Sequence, residues 1–197
     1  MTPLSVVQFA WIAWLISWFA AAAWSDRAVK RPPARRELLY RALTIIGSML
    51  LWDWYPGAGG RSVIRVWQPG RALAWSEAAL VLAGLSFTWW ARLHLGRLWS
   101  STVTRKEHHH VVDSGPYGLV RHPIYSGVLL AILATAALRG TALALAGAAV
   151  LIAAVYIKAR VEEQFLREQL GTSAYDAYAR RVPMLVPFAR VMSKDAG

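Results

Sequence analysis

The chain has 197 residues, 56% of them hydrophobic, with a charged fraction of only 17% and a formal net charge of +11. Those proportions argue against an ordinary soluble domain, in which apolar runs are shorter and charges more frequent. The absence of cysteine excludes a disulfide framework and a thiolate metal site. The basic residues alternate with apolar blocks instead of forming one soluble face, which points to anionic lipid headgroups rather than nucleic acid as their partners.

The first block, Leu4 to Trp24, carries no charge and is long enough at roughly 20 residues to cross a bilayer. No basic residue precedes it, so it reads as a retained helix and not a cleaved leader. A basic loop from Ser25 to Glu37 follows, in which Arg31-Pro32-Pro33 prevents helix continuation. The second block, Leu38 to Trp54, places Arg41 and Asp53 near its two ends. Tyr55-Pro56-Gly57-Ala58-Gly59-Gly60 breaks the chain, and the stretch to Arg71 reads as a loop or interfacial piece. The third block runs from Ala72 to Leu95, with Glu77 about one turn inside, and the chain is then polar and irregular from Gly96 to His122.

A fourth block, Ile124 to Leu138, and a fifth, Thr141 to Ile157, are separated only by Arg139-Gly140, which forces an antiparallel helical hairpin. Beyond it Phe165, Leu166 and Leu170 recur at helical spacing, with Gly171 as a stop. Ser173 as N-cap with Asp176 three residues on predicts a further short helix, ended by Pro183 and Pro187. Trp11, Trp24, Trp52, Trp54, Trp67, Trp75 and Trp99 lie near block ends, as in an aromatic belt at the headgroup level, while Trp89 and Trp90 read as helix packing.

This pattern predicts an all-α integral membrane protein of about five transmembrane helices. It divides into a three-span region, 1–95, and a second region, 96–197, made of a loop (96–123), the helical hairpin (124–157) and a polar tail (158–197). Of the 22 Lys and Arg, only Arg61, Arg65, Arg71 and Arg139 fall on one side of a five-span arrangement. The positive-inside bias therefore places the first and third loops and the C-terminus in the cytoplasm. The Ala-, Arg- and Trp-rich usage suggests a bacterial inner membrane.

Two polar clusters flank the hairpin. One runs from His108-His109-His110-Val111-Val112-Asp113 through Tyr117 to Arg121-His122-Pro123-Ile124-Tyr125; the other is Lys158-Ala159-Arg160-Val161-Glu162-Glu163. The hairpin makes neighbours of the start of the fourth span and the end of the fifth, so the Arg-His-Pro segment meets the glutamate pair. Acids and donors together suit a zwitterionic or cationic ligand. Arg121 and Arg160 also fit interfacial anchors for lipid phosphate, and the glutamates fit a solvated helix turn. Three consecutive histidines on an irregular loop do not converge on one ion, and no His-x-x-x-His pair supports a metal.

The run His109, Val111, Val112, Gly115, Tyr117, Arg121-His122-Pro123, Tyr125, Gly127, followed by Glu162-Glu163, Gly171, Tyr175, Tyr178, Arg181-Val182-Pro183 and Leu185-x-Pro187-Phe188, resembles the isoprenylcysteine carboxyl methyltransferase family. A wider superfamily joins it to phospholipid N-methyltransferases. The resemblance covers about Gly96 to Arg190. It implies a membrane methyltransferase that uses S-adenosylmethionine (SAM) without a Rossmann-like sheet, and it makes 96–197 the catalytic region with the cofactor held by the cytoplasmic helical part.

By correspondence, the cofactor contacts fall on His109, His110, Val111, Val112, Tyr117, His122, Pro123, Ile124, Tyr125 and Glu162. A further contact, an amide in relatives, falls near Thr102. The family's substrate-side arginine falls on Lys158, with Arg160 as its alternate and Arg121 in reserve; a lysine attracts a carboxylate but cannot match it bidentately. Glu163 or His122 would act as base were the acceptor an amine. The implied reaction is carboxyl methylation of an isoprenylcysteine-like substrate, whose prenyl or acyl part comes from the bilayer. Phospholipid or small lipophilic thiol or amine methylation, a membrane reductase, and a non-enzymatic scaffold or transporter are the alternatives.

Overall fold

The computed structural model describes residues 1–22, 34–54, 64–96 and 112–189. Its helices are α1 (Pro3–Ala22), α2 (Ala34–Leu51), α3 (Arg71–Leu95), α4 (Pro116–Leu119), α5 (Pro123–Arg139), α6 (Ala142–Leu170) and α7 (Thr172–Arg181). Among the described residues there is no strand, only an isolated antiparallel bridge between Arg65 and Thr141. The all-α membrane fold expected from the hydropathy pattern is therefore the one observed. Helices α1, α3 and α6 are long and apolar enough to cross a membrane, and α5 is a shorter apolar helix.

The second block falls outside that set because Arg35, Arg36, Glu37 and Arg41 crowd the first turns of α2. Its remainder, Ala42 to Leu51, carries no charge. Packing shows where it belongs. The helix lies antiparallel along α6, with Arg36 bonded to Gln164 at one end and Leu51 packed on Ala144, Ala148 and Leu151 at the other. Its outer face exposes Leu38, Leu39, Ile45 and Ile46, an apolar surface suited to lipid.

Small residues let these helices approach. A side chain at Gly84 would meet the Gly127 carbonyl at 2.6 Å, and one at Gly127 would meet the Gly84 carbonyl at 2.5 Å, so α3 and α5 cross backbone to backbone. Gly47 and Gly147 play the same part between α2 and α6. Close contact of this kind replaces the hydrophobic drive that lipid does not supply. Around it, the Trp11 indole donates to the Thr135 hydroxyl (3.0 Å) and Trp14 to Thr88 (2.7 Å). Trp11 thus points into the bundle and is not part of a headgroup belt. Trp54, by contrast, is 79% exposed.

The hairpin turn behaves as expected. Gly140 adopts the left-handed conformation (φ 60°) that ends α5, and the Thr141 side chain accepts from the Ala144 N–H to start α6. The Val66 and Trp67 N–H groups donate to the Gly140 carbonyl, and the Arg139–Asp53 ion pair ties α5 to the end of α2. At the other end of the molecule the Arg92 guanidinium donates to the Ala21 carbonyl (2.5 Å) and lies over the Trp18 ring, joining α3 to α1.

The tail is helical and stops at Gly171 as expected, and it is continuous with the fifth block: α6 runs 29 residues to Leu170, about 43 Å at 1.5 Å per residue, because no breaker intervenes before Gly171. The tail is therefore largely a rigid extension of a span. The last helix starts at Thr172 with Gly171 at its N-cap and no side-chain cap bond; Asp176 instead pairs with Arg167 (2.7 Å) across the bend from α6.

Replacing Gly127 by Val forces α3 and α5 apart and should lower stability by about 1–3 kcal/mol, read as thermal unfolding in detergent. Gly70→Ala, which meets nothing within 4 Å, is the matched control and should leave the midpoint unchanged.

Candidate functional site

Arg121-His122-Pro123 forms the entrance to α5. Pro123 occupies the first helical turn, where its missing N–H costs nothing, and His122 is the N-cap residue, with φ −123° and ψ 65°. The segment Pro183–Leu185, just past α7, lies against it. The Arg121 N–H donates to the Pro183 carbonyl (2.8 Å), the His122 N–H to Met184 (3.1 Å), and the Ser126 hydroxyl to Leu185 (2.6 Å). Tail and motif therefore form one unit.

The Arg121 side chain is the centre of that unit. Its Nε and Nη2 both reach Glu163 Oε1, at 2.7 and 2.6 Å. Its Nη1 donates to the carbonyls of Ala179 (3.0 Å) and Val182 (2.6 Å), groups that the end of α7 leaves without helical partners. Glu163 is only 1% exposed. The planar guanidinium fork makes these four contacts at once, one more than the three donors of a lysine allow. Arg121 and Glu163 thus act as positioning residues for the tail, and Arg121 is not turned outward toward lipid.

Next to this clamp sits a second set of polar groups. His122 lies between the two glutamates, its Nδ1 3.8 Å from Glu162 Oε2 and its Nε2 3.6 Å from Glu163 Oε1, and its ring stacks on Tyr125. Both separations exceed hydrogen-bond reach, and the buried Nε2 has no partner. The Tyr125 hydroxyl donates to Glu162 Oε1 at 2.5 Å. The Lys158 ammonium lies over the Tyr125 ring at 5.2 Å. Lys158 and Glu162 are one turn apart on α6 and share a face.

Tyr117, on α4, is buried and stacks against His94 at the end of α3, while its carbonyl accepts from the Tyr178 hydroxyl (2.7 Å). Burial pushes the Tyr117 phenol well above its ordinary range, helped by Tyr178 and Glu162, and burial does the same to Tyr175 and Tyr178. These rings are neutral packing surfaces and donors, not bases.

The structure thus brings together Tyr117, Arg121, His122, Tyr125, Lys158, Glu162 and Glu163. Pro123 is buried and Ile124 half-buried beside them, and Val112 is half-buried at the start of the described loop. His109, His110, Val111 and Thr102 lie outside the described residues. Arg160 is not brought in: two residues beyond Lys158 it stands about 200° around the helix and is exposed. Among the described residues no group of three or more metal-ligating side chains occurs.

Sequence reasoning missed Tyr40, whose ring on α2 lies 5.9 Å from the Lys158 ammonium, and the carbonyls that Arg121 holds. Backbone acceptors leave no trace in residue type. Tyr40 had only its position beside Arg41, at the same end of a polar-tipped helix, to mark it.

Comparison with known proteins adds to this geometry. Residues 77–168, from α3 to the far end of the site helix, match the isoprenylcysteine carboxyl methyltransferase family. Over this stretch the chain is similar to that family, in line with the resemblance that the paired motifs carry. Protein-S-isoprenylcysteine O-methyltransferase B of Arabidopsis thaliana is 34% identical over 113 residues, 57% of this chain and 52% of that protein. The cobalt-zinc-cadmium resistance protein CzcN of Cupriavidus metallidurans is 36% identical over 95 residues, 47% of this chain and 43% of that one. Methanethiol S-methyltransferase 2 of Bradyrhizobium diazoefficiens is 43% identical over 83 residues, 40% and 30% respectively. The chain spans about half, or less, of the length of these curated relatives.

Arg121→Met leaves the buried Glu163 carboxylate unpaired, and the expected cost is about 3–5 kcal/mol. Thermal melts of Arg121→Met, of Glu163→Leu and of the two combined check it. The double variant should recover part of the loss; simple addition of the two single effects would show that the pair is not coupled.

Proposed function

We propose that the chain is a SAM-dependent methyltransferase acting on a lipophilic acceptor, with 96–197 as its catalytic region and 1–95 as the membrane scaffold. The observation that carries this reading is the junction of α5 and α6, where Glu162, His122 and Tyr125 meet beside the Lys158 cation. The family match over residues 77–168 supports it.

The residues fit SAM. Glu162 keeps a partly exposed carboxylate with only one oxygen engaged, suited to the cofactor's ammonium group. The orphaned His122 Nε2 marks a place prepared for polar company. The Tyr117 ring suits a sulfonium. Val112, Pro123, Ile124 and the backbone around His109 to Val111 would complete the pocket. When bound, SAM supplies an electrophilic methyl group.

The protein's part is to align and to exclude water, which is where the barrier of such a displacement falls. Lys158 holds the acceptor's charged head at the membrane edge, and its lipid part stays between apolar helices. A carboxylate acceptor is already ionised near neutral pH and needs no base. An amine acceptor does need one, and Glu163 is unsuited, being buried and bound to Arg121. The leading reaction is therefore carboxyl O-methylation of an isoprenylcysteine-like substrate. S-methylation of a small lipophilic thiol is the second reading, because a lone ammonium suits a thiolate as well as a carboxylate, and one relative bears the name of a thiol methyltransferase.

The site lies on the side that carries most of the Lys and Arg, which we assign to the cytoplasm of a bacterial inner membrane. The test is transfer of labelled methyl from SAM to farnesylcysteine analogues, phosphatidylethanolamine and small lipophilic thiols. Glu162→Gln should weaken SAM binding about 10- to 100-fold, the loss of a charge-assisted hydrogen bond, while thermal stability is retained. A folded variant with unchanged affinity would remove Glu162 from the cofactor site.

A further inference from the structure

Lys158 is an ammonium at a membrane edge with no carboxylate of its own. Among the described residues it forms no ion pair: Glu162 accepts from Tyr125, Glu163 is bound by Arg121, and Glu37 on α2 is paired with Arg41. What surrounds the ammonium instead is aromatic. The Tyr125 ring lies 5.2 Å from Nζ and the Tyr40 ring 5.9 Å, both within the range of a cation–π contact.

That arrangement has a consequence for charge. A carboxylate partner would hold Lys158 in place and cancel its field. Two ring faces hold it in place and leave its charge available. Lys158 lies seven residues beyond Leu151 and eleven beyond Gly147, on the stripe by which α6 packs against α2. Tyr40 is brought to it by that same packing and by the Arg36–Gln164 bond one turn nearer the α2 start.

We infer that Tyr40 is a specificity-determining residue: it aims the Lys158 ammonium, which forms no ion pair among the described residues, at the acceptor and so commits the site to an anionic reacting group. The inference rests on the proposed methyltransferase reading and extends it to α2, which lies outside the family match at 77–168. The shared chemistry is a lipophilic molecule whose nucleophile is an anion, either a carboxylate or a thiolate. Its lone pair forms the new bond to the methyl carbon as the carbon–sulfonium bond breaks. The electron pair stays on the departing thioether sulfur; a carboxylate acceptor arrives already ionised, whereas a thiol first releases its proton to solvent.

The experiment compares Tyr40→Leu and Tyr40→Phe with the unaltered protein in lipid nanodiscs. It measures SAM affinity by calorimetry, binding of a farnesylcysteine analogue and of a lipophilic thiol, and steady-state kinetics with each. Tyr40→Leu should raise KM and the dissociation constant for the anionic acceptor about three- to tenfold, with kcat and SAM affinity unchanged. Tyr40→Phe, which keeps the ring, should restore both values. The acceptor whose constants move identifies the carboxylate or the thiolate as the group recognised.

Unchanged constants for both acceptors in Tyr40→Leu would overturn the inference and leave the methyltransferase reading standing. So would a fall in kcat with KM unaltered, or failure of Phe to rescue. No SAM binding and no methyl transfer by the unaltered protein would overturn both.

Discussion

A two-residue turn, Arg139-Gly140, sets the heights at which everything else in the site meets. Helices leaving it in opposite directions rise equally per residue. α5 has 17 residues, so its first turn stands level with the part of α6 around Lys158. No loop slack is available to shift one against the other. The turn is itself braced, with the Gly140 carbonyl bonded to Val66 and Trp67 and Arg139 paired with Asp53. The far side of the bundle, remote from the chemistry, thus determines which residues of α5 face which residues of α6.

The same level is where two charges are buried together. A lone Glu163 carboxylate would be costly there, and its pairing with Arg121 becomes favourable only because the remaining donors are also satisfied. Those donors reach the end of α7, so the clamp converts a short helix into part of the site wall. Its effect is better described as placement than as stability. With Arg121 engaged on four acceptor contacts, His122 is held between the glutamates and the tail is fixed beside the entrance to α5. An apolar pair of similar volume would fill the same space without defining where α7 ends.

Hydropathy and motif spacing were enough to place the five main helices and to bring Arg121, His122 and Tyr125 to Glu162 and Glu163, because a tight hairpin leaves one geometry. The stop of α6 at Gly171 was legible, but that span and tail are one continuous helix was harder to read. Apolar patterning ends near Ile157, but helix propensity does not, and the chain has no breaker until Gly171. α2 was difficult for the opposite reason: its charges sit in the first turns, where they weaken a composition-based span while leaving an apolar face along α6. Residue type suggested that Arg121 and Arg160 were equivalent surface cations. Helical phase separates them, one buried in a clamp and the other about 200° away from Lys158.

The division of labour among the cations follows from what each is bonded to. Arg121 is neutralised by Glu163 and, in holding backbone carbonyls, has little field left for a substrate. Arg160 faces away from the junction. Among the described residues Lys158 stands at the meeting of α2, α5 and α6 with two aromatic rings beneath its ammonium and no ion pair. A lysine there is a compact charge without the fork geometry of arginine, so under the proposed reading recognition rests on the sign of the acceptor's charge more than on its shape. Such a site can serve a carboxylate or a thiolate with one set of residues. On the same reading the choice between them passes to the apolar surroundings, and α2, outside the family segment, exposes Leu38, Leu39, Ile45 and Ile46 as candidates for part of that surface.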